Sequence, residues 1–332
     1  MHELTLRGTP AQMGMQHGAM LAQTEGGLIL PPLNPALLPL AADCEKVAQQ
    51  HTPRFVEEMG AFAEAANIPY DALMAVTLTI PLAQTMPSCS VVAVLPERSA
   101  TGQMMVGRNY DFSYELEEGS ALYHTFPDAG YKHTGACDIW IGREDGLNEH
   151  GLFVAMSATF LPGIQAGLPF WFIVRHMLEH CATVDEAAAW IQSVPHSQSR
   201  NYMLADRNKA LVAEASINGV CFREAQDGVL VMTNHPATPE LRPQASFEPP
   251  DSQVRFDRLQ SLHRLPDGHV TSDDLEAAMN DRENHVCAHH SFDGQMFGTL
   301  WSMIAYPSEQ RLAIARGTGD NQGTMKYQDY RV

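Results

Sequence analysis

No CxxC pair and no dense cysteine framework occurs in the 332 residues; Cys44, Cys89, Cys137, Cys181, Cys221 and Cys287 stand far apart. In a reducing compartment such thiols stay free and pack as small apolar groups. One that does chemistry must be recognised by its neighbours. Basic residues are scarce too. Lys plus Arg is 21 against 39 Asp plus Glu, a formal net charge of −18. That excludes the basic stripe of a nucleic-acid binder and docking on anionic membranes. No apolar run reaches the roughly 18 residues of a membrane helix; the stretch 28–40 is broken by Pro31, Pro32, Pro35 and Pro39. The opening MHELTLRGTP lacks the basic-then-apolar pattern of a targeting segment. The expectation is a soluble, cytoplasmic chain. A GxSxG elbow, a Walker loop, an internal repeat and low-complexity sequence are all missing.

What is there is globular. Hydrophobic residues make up 45% and charged residues 18%, enough to bury a core. Residues 1–88 read as mainly helical, with helical apolar spacing over 41–67. From Cys89 the texture changes to short β runs. These are 90–95, 103–112, 138–143, 152–157, 201–206, 211–215, 220–224, 229–233, 299–306 and 311–315, several divided by turn signals such as Asn218-Gly219 and Asp227-Gly228. Helical blocks interrupt them at 170–194, 252–262 and 272–280. In the first, Thr183-Val184-Asp185-Glu186 is a capping box. The segment 236–250 holds five prolines and reads as a surface loop. Strands in hairpin order with clustered helices point to a layered α+β fold, not a doubly wound sheet.

Two metal-like patterns compete for attention. His176-Met177-Leu178-Glu179-His180 matches H-x-x-E-H, in which two histidines on one helix face bind zinc and the glutamate acts as base. No third ligand is placed, and a solvated helix face is the simpler reading. In His285-Val286-Cys287-Ala288-His289-His290, a strand would put 285, 287 and 289 on one face; with no second cluster, a local strand with a buried cysteine is the simpler reading. The glycine-rich run 317–323 is too close to the end of the sequence for a strand–loop–helix phosphate site.

A third constellation centres on Cys89, where helical and β textures meet in Met86-Pro87-Ser88-Cys89-Ser90-Val91-Val92. Soon after comes Gly107-Arg108-Asn109-Tyr110-Asp111-Phe112. A hairpin of 90–95 with 103–112 sets Arg108 and Asp111 beside the start of the first strand. A guanidinium there favours the thiolate, and a carboxylate can orient an amine. The simpler alternative is an Arg108–Asp111 ion pair on a strand.

These segments carry a resemblance. The sequence resembles the N-terminal-nucleophile (Ntn) hydrolases of the choloylglycine hydrolase and penicillin V acylase group, and most of all the branch of acyl-coenzyme A:6-aminopenicillanic-acid acyltransferase. Leu6-Arg7-Gly8-Thr9 through Gly18 is similar to that branch's opening. Asp145-Gly146-Leu147-Asn148-Glu149-His150-Gly151-Leu152 resembles the group's D-G-M-N-E-x-G-L. Thr233-Asn234-His235-Pro236 is similar to its T-N-x-P, Val254-Arg255-Phe256 to its S-R-F, and Cys287 to Ser302 to its C-x-H…T-x-x-S ending.

The resemblance implies a four-layer αββα Ntn sandwich of antiparallel sheets, with 1–88 as helical leader and 89–332 as catalytic chain of one folded domain. It implies self-cleavage between Ser88 and Cys89, after which Cys89 supplies both nucleophilic thiol and α-amino base. Arg108 then lies near the thiolate, Asp111 binds the new amine, Asn234 lines the oxyanion hole with its side-chain N–H, and Arg255 supports the charged network. Neither metal nor cofactor is implied. The partners expected are a small-molecule N-acyl substrate and the leader itself, with a homo-oligomer left open. The activity is cleavage of an N-acyl amide through an acyl-thioester, or transfer from an acyl-CoA donor. An uncleaved binding protein and a zinc peptidase using His176, Glu179 and His180 stand as alternatives. One departure matters. The asparagine of the bile salt hydrolases' G-L-N-F is missing from Ala155-Met156-Ser157-Ala158-Thr159-Phe160, which leaves Ser157, Thr159 or a backbone N–H to replace it. Asn148 reads as a turn residue, Asn234 alternatively as a loop cap, and Trp171 and Trp301 as core.

Overall fold

The computed structural model describes residues 1–23, 30–32, 34–79, 88–266, 268–292, 294–317 and 324–332. Its elements are β1 (His2–Gly8), α1 (Pro10–Ala22), α2 (Leu38–His51), α3 (Pro53–Ala65), α4 (Tyr70–Thr79), β2 (Ser90–Val94) and β3 (Met105–Ser113). Next come β4 (Ala121–Pro127), β5 (His133–Cys137), β6 (Asp145–Asn148), β7 (Phe153–Ala158), α5 (Phe170–His180) and α6 (Val184–Ser193). Then follow β8 (Arg200–Ala205), β9 (Ala210–Ser216), β10 (Gly219–Arg223), β11 (Val229–Met232), α7 (Ser252–Gln260) and α8 (Ser272–Met279). The last are β12 (His289–Phe292), β13 (Gln295–Tyr306), β14 (Arg311–Arg316) and β15 (Gln328–Arg331).

The strands form two sheets. One has eight strands in the order β1-β4-β5-β6-β7-β8-β9-β10; the other has seven, β11-β2-β3-β13-β14-β15 with β12 paired to β13. Every pairing is antiparallel except β1 with β4. Period-two alternation decides how they stack. On β2, Val91 and Ala93 join Val106, Phe153, Ala155, Met203, Val212 and Trp301 in a core between the sheets. Val92 and Val94 face the other way, onto Leu259, Leu275 and Met279 of α7 and α8. Val154, Tyr202 and Ala213 turn from the larger sheet to α1–α6. The result is the expected helix–sheet–sheet–helix α+β sandwich. None of the described helices is long and apolar enough to cross a membrane.

Several local expectations change. The chain opens with β1, not a helix. Its isolated pattern of alternate apolar residues becomes a strand only by pairing with β4, His2 opposite Ala121. The helix over 41–67 is two helices, because Pro53 has no N–H to continue α2 and instead starts α3. The strand over 138–143 does not form. Ile141 sits at φ +72°, and a β-branched residue in that region breaks an extended run. The capping box before α6 is only half made. Thr183 accepts from Glu186 N–H, but the Glu186 carboxylate takes the N–H of Ala182 at 2.6 Å. Residues 285–287 are turn, not strand, with His285 at φ +61°. Of the glycine-rich run, 318–323 lie outside the described residues, as do Met86 and Pro87.

Candidate active site

The β2–β3 hairpin forms as expected, Ser90 opposite Asn109 and Val91 opposite Arg108. Cys89 immediately precedes β2 and is fully buried on the face between the sheets. By alternation Arg108 shares that face. Its guanidinium interacts electrostatically with the Cys89 sulfur and donates to the Met156 carbonyl at 3.3 Å, and its Nε lies 2.7 Å from Asp145 Oδ2. Burial works against its charge, but Cys89 and Asp145 outweigh that and raise its pKa further. Arg108 thus pairs with Asp145, not with Asp111. Asp145 in turn accepts Trp301 Nε1–H at 2.8 Å. Trp301 and Trp171 are both core residues.

The main chain of Cys89 is clamped. Its N–H donates to Asn234 Oδ1 at 2.7 Å, and its carbonyl accepts from Arg255 Nη1. Arg255 also reaches Asn234 Oδ1 at 3.0 Å and Ser90 Oγ at 3.1 Å. Asn234 is more than a loop cap. Its backbone N–H donates to Ser252 Oγ at 2.9 Å, and its Nδ2 donates one hydrogen to the Ala158 carbonyl at 3.1 Å. Ser252 Oγ in turn sits 2.7 Å from His235 Nδ1. Burial and the nearby arginines 242, 223 and 255 lower that histidine's pKa to about 3, so it is neutral.

Ser88 hangs on the same network. Its hydroxyl donates to Asp251 Oδ2 at 2.9 Å, Asp251 pairs with Arg255 Nε at 3.3 Å, and its N–H donates to the Asp111 carbonyl at 3.1 Å. The Asp111 side chain is 1% exposed. Its Oδ1 accepts from Thr299 at 2.6 Å, while Oδ2 has no partner among the described residues. Burial pushes its pKa up to about 7, against the pull of Thr299, Arg255 and Arg108.

Arg108 from β3, Asn234 from the β11–α7 segment and Arg255 from α7 therefore converge on Cys89, and Asp111 is tied to the adjoining Ser88 through its carbonyl. Sequence reasoning missed Asp145, Asp251, Ser252 and Thr299. Asp145 opens a motif whose other residues drew attention, and Asp251 stands four residues before Arg255 at the helix spacing of an ion pair. Of the candidates for the missing asparagine, Ser157 Oγ is spent on the Thr233 carbonyl. Thr159 Oγ1 is buried and without a partner among the described residues. Asn148 ties its turn, accepting from the N–H groups of His150 and Leu152.

The metal-like patterns do not assemble. Glu179 is buried and accepts from Arg175 Nε at 2.7 Å, so the helix face is not wholly solvated and its carboxylate is committed to that arginine. His176 stacks on Trp190, ring centroids 4.0 Å apart, and His180 is exposed. His289 instead meets Tyr114 at 3.1 Å. Elsewhere Cys137, Asp138 and Glu144 bring donor atoms within 4.8 Å of one another. Burial and mutual repulsion raise the pKa of Glu144, and Tyr110 donates to Asp138 at 2.7 Å, which suits a proton-sharing acid pair.

Comparison with known proteins gives the family and the fold. Residues 98–321 match the family Acyl-coenzyme A:6-aminopenicillanic acid acyl-transferase. The "Acyl-coenzyme A:6-aminopenicillanic-acid-acyltransferase 40 kDa form" of Emericella nidulans is 23% identical over 97% of this chain and 94% of its own. An uncharacterised protein of Archaeoglobus fulgidus is 21% identical over 77% of this chain; the alignment spans only 54% of that relative's length. Among solved structures, penicillin V acylase from Agrobacterium tumefaciens superposes with a TM-score of 0.50 at 17% identity, covering 69% of this chain and 83% of its own.

Proposed function

The chain belongs to the acyl-coenzyme A:6-aminopenicillanic acid acyl-transferase family, and on that premise we propose that it cleaves N-acyl amides through a thioester on Cys89. The observation that carries the reading is the clamp on Cys89. Its amide nitrogen is held by Asn234 and its carbonyl by Arg255, and the Arg108 guanidinium attracts its sulfur.

Maturation comes first. The Cys89 thiol attacks the Ser88 carbonyl carbon, the C–N bond breaks, and the nitrogen keeps the thiol's proton. Water then splits the Ser88 thioester, leaving a Ser88 carboxylate, a free thiol and a new α-amine. That amine has a reference pKa near ~7.7–8.0 and is a usable base. Ser88 anchored on Asp251 holds the scissile peptide during this step.

In turnover the amine takes the thiol proton, the thiolate attacks the acyl carbon, and the oxyanion meets the second N–H of Asn234 Nδ2. The leaving amine departs with the proton held on Cys89 nitrogen. Water then releases the acid and regenerates the thiol. Water as acceptor fits the charge of −18, which repels a polyanionic CoA donor; CoA-dependent transfer runs the same chemistry with another acyl source. The zinc-peptidase alternative loses its base, because Glu179 is committed to Arg175.

Intact mass with N-terminal sequencing tests the proposal. Fragments of 88 and 244 residues, the second beginning at Cys89, are expected, together with hydrolysis of at least one member of a panel of N-acyl amides. Cys89→Ala should remain one chain and be inactive. An active wild type that starts at Met1, or an active Cys89→Ala, would remove Cys89 from the mechanism.

A further inference from the structure

The carboxyl of Asp111 has two oxygens in unlike surroundings. Asp111 stands directly across from Thr299 in the β3–β13 ladder. The Thr299 hydroxyl accepts the N–H of Ala288 at 3.1 Å, so its own hydrogen is free to be donated. Two acceptors are in range, Asp111 Oδ1 at 2.6 Å and the Cys287 sulfur at 3.8 Å. A thiol sulfur is a weak acceptor, so the hydrogen goes to Oδ1. Oδ2 is left buried and without a partner among the described residues.

We infer that Thr299 is a positioning residue that fixes Oδ1 of Asp111 as an acceptor and reserves Oδ2 for the amino group that self-cleavage creates on Cys89. This rests on the proposed role of Cys89. In the uncut chain no ammonium is present, and below the Asp111 midpoint Oδ2 carries the carboxyl proton. The charged and titratable groups facing Asp111 are Arg108 from β3, Asp251 and Arg255 at the start of α7, and Cys287 from the turn before β12. Burial raises the Asp111 pKa to about 7, and the Thr299 hydrogen bond is the leading influence that lowers it, ahead of the attraction of Arg255 and Arg108. Removing that hydroxyl should move the titration upward, since its hydrogen bond is stronger to the ionised carboxylate than to the neutral acid. After the cut, the new ammonium favours the carboxylate, which accepts its N–H through Oδ2.

The test titrates uncut protein directly. In full-length Cys89→Ala labelled with ¹³C at aspartate Cγ, the Asp111 resonance is the one lost in Asp111→Asn. Its midpoint should lie near pH 7 and rise by about 1 pH unit in Thr299→Val, the scale of a lost hydrogen bond to a charged group. Thr299→Ala should match Thr299→Val, and Thr299→Ser should restore the original midpoint. In self-cleaved enzyme the acid limb of kcat should move the same way, with KM little changed. A midpoint unmoved in both hydroxyl-free variants, or moved equally in Thr299→Ser, overturns the assignment. A wild type that neither cuts nor hydrolyses would defeat the Cys89 reading and with it the amine as occupant of Oδ2, whereas an unmoved titration beside a cutting, active wild type would defeat the role of Thr299 alone.

Discussion

Asn234 does two jobs with one side chain. Its carbonyl oxygen takes the Cys89 N–H and an Arg255 N–H, while its amide nitrogen keeps one hydrogen beyond the bond to Ala158. Asn234→Ala removes the proposed oxyanion donor and also leaves two buried donors without an acceptor. The first loss should lower kcat by about 10²-fold or more. The second should cost about 1–3 kcal/mol of stability. The pair of measurements is kcat on cut protein with an N-acyl amide and a urea unfolding curve. A wild-type kcat would take Asn234 out of the site. A lowered kcat with unchanged stability would show that the clamp on Cys89 is weaker than its distances suggest.

At the scale of elements, the β3 segment that carries Arg108 and Asp111 depends on a glycine. A Cβ on Gly107 would lie 2.7 Å from Met279 Sδ and 3.0 Å from Leu275 Cδ1, so α8 rests directly on the strand. That contact also lets Asn109 Nδ2 donate to the carbonyls of Met279 and Val286 at 2.8 and 2.7 Å. Gly107→Val must push α8 away and should destabilise the fold by about 1–3 kcal/mol. Thermal unfolding checks it, and an unchanged midpoint would mean that α8 has room to shift. The facing strand β13 has its own device. Its register slips between Thr299 and Trp301. The bulge lets Thr299 meet Asp111 on one face while Trp301, two residues on, enters the core between the sheets.

Across the whole molecule, the segment before the proposed cut is built into the sandwich. It gives β1 to the edge of the larger sheet and packs Phe55, Met59 and Phe62 into the core beneath that sheet. A buried ion cluster joins the two parts. Arg175 Nη1 and Nη2 hold both oxygens of Glu58 at 2.9 and 2.7 Å, and Arg175 Nε holds Glu179. The fragments should therefore co-elute after cleavage. Breaking a buried pair from one side costs about 3–5 kcal/mol, so Glu58→Ala should release the first fragment at lower denaturant than wild type. Size-exclusion chromatography over a urea series measures this. Release at the same urea concentration would show that β1 and the apolar faces hold the fragments without the ion cluster.

Sequence alone determined the layered α+β class, because alternation of apolar residues over two and over 3.6 residues is local and survives without tertiary context. Through the resemblance of its ordered motifs it also offered Cys89, Arg108, Asp111, Asn234 and Arg255 as candidates for one site. Tertiary structure decided the rest. β1 is a strand only because β4 offers it a ladder, and 138–143 is not one because Ile141 turns left-handed. The partner of Arg108 is Asp145 on the opposite sheet, which no spacing along the chain encodes. Thr299 comes to Asp111 from 188 residues away, and the bulge that orients it breaks the very periodicity from which a strand's face is read.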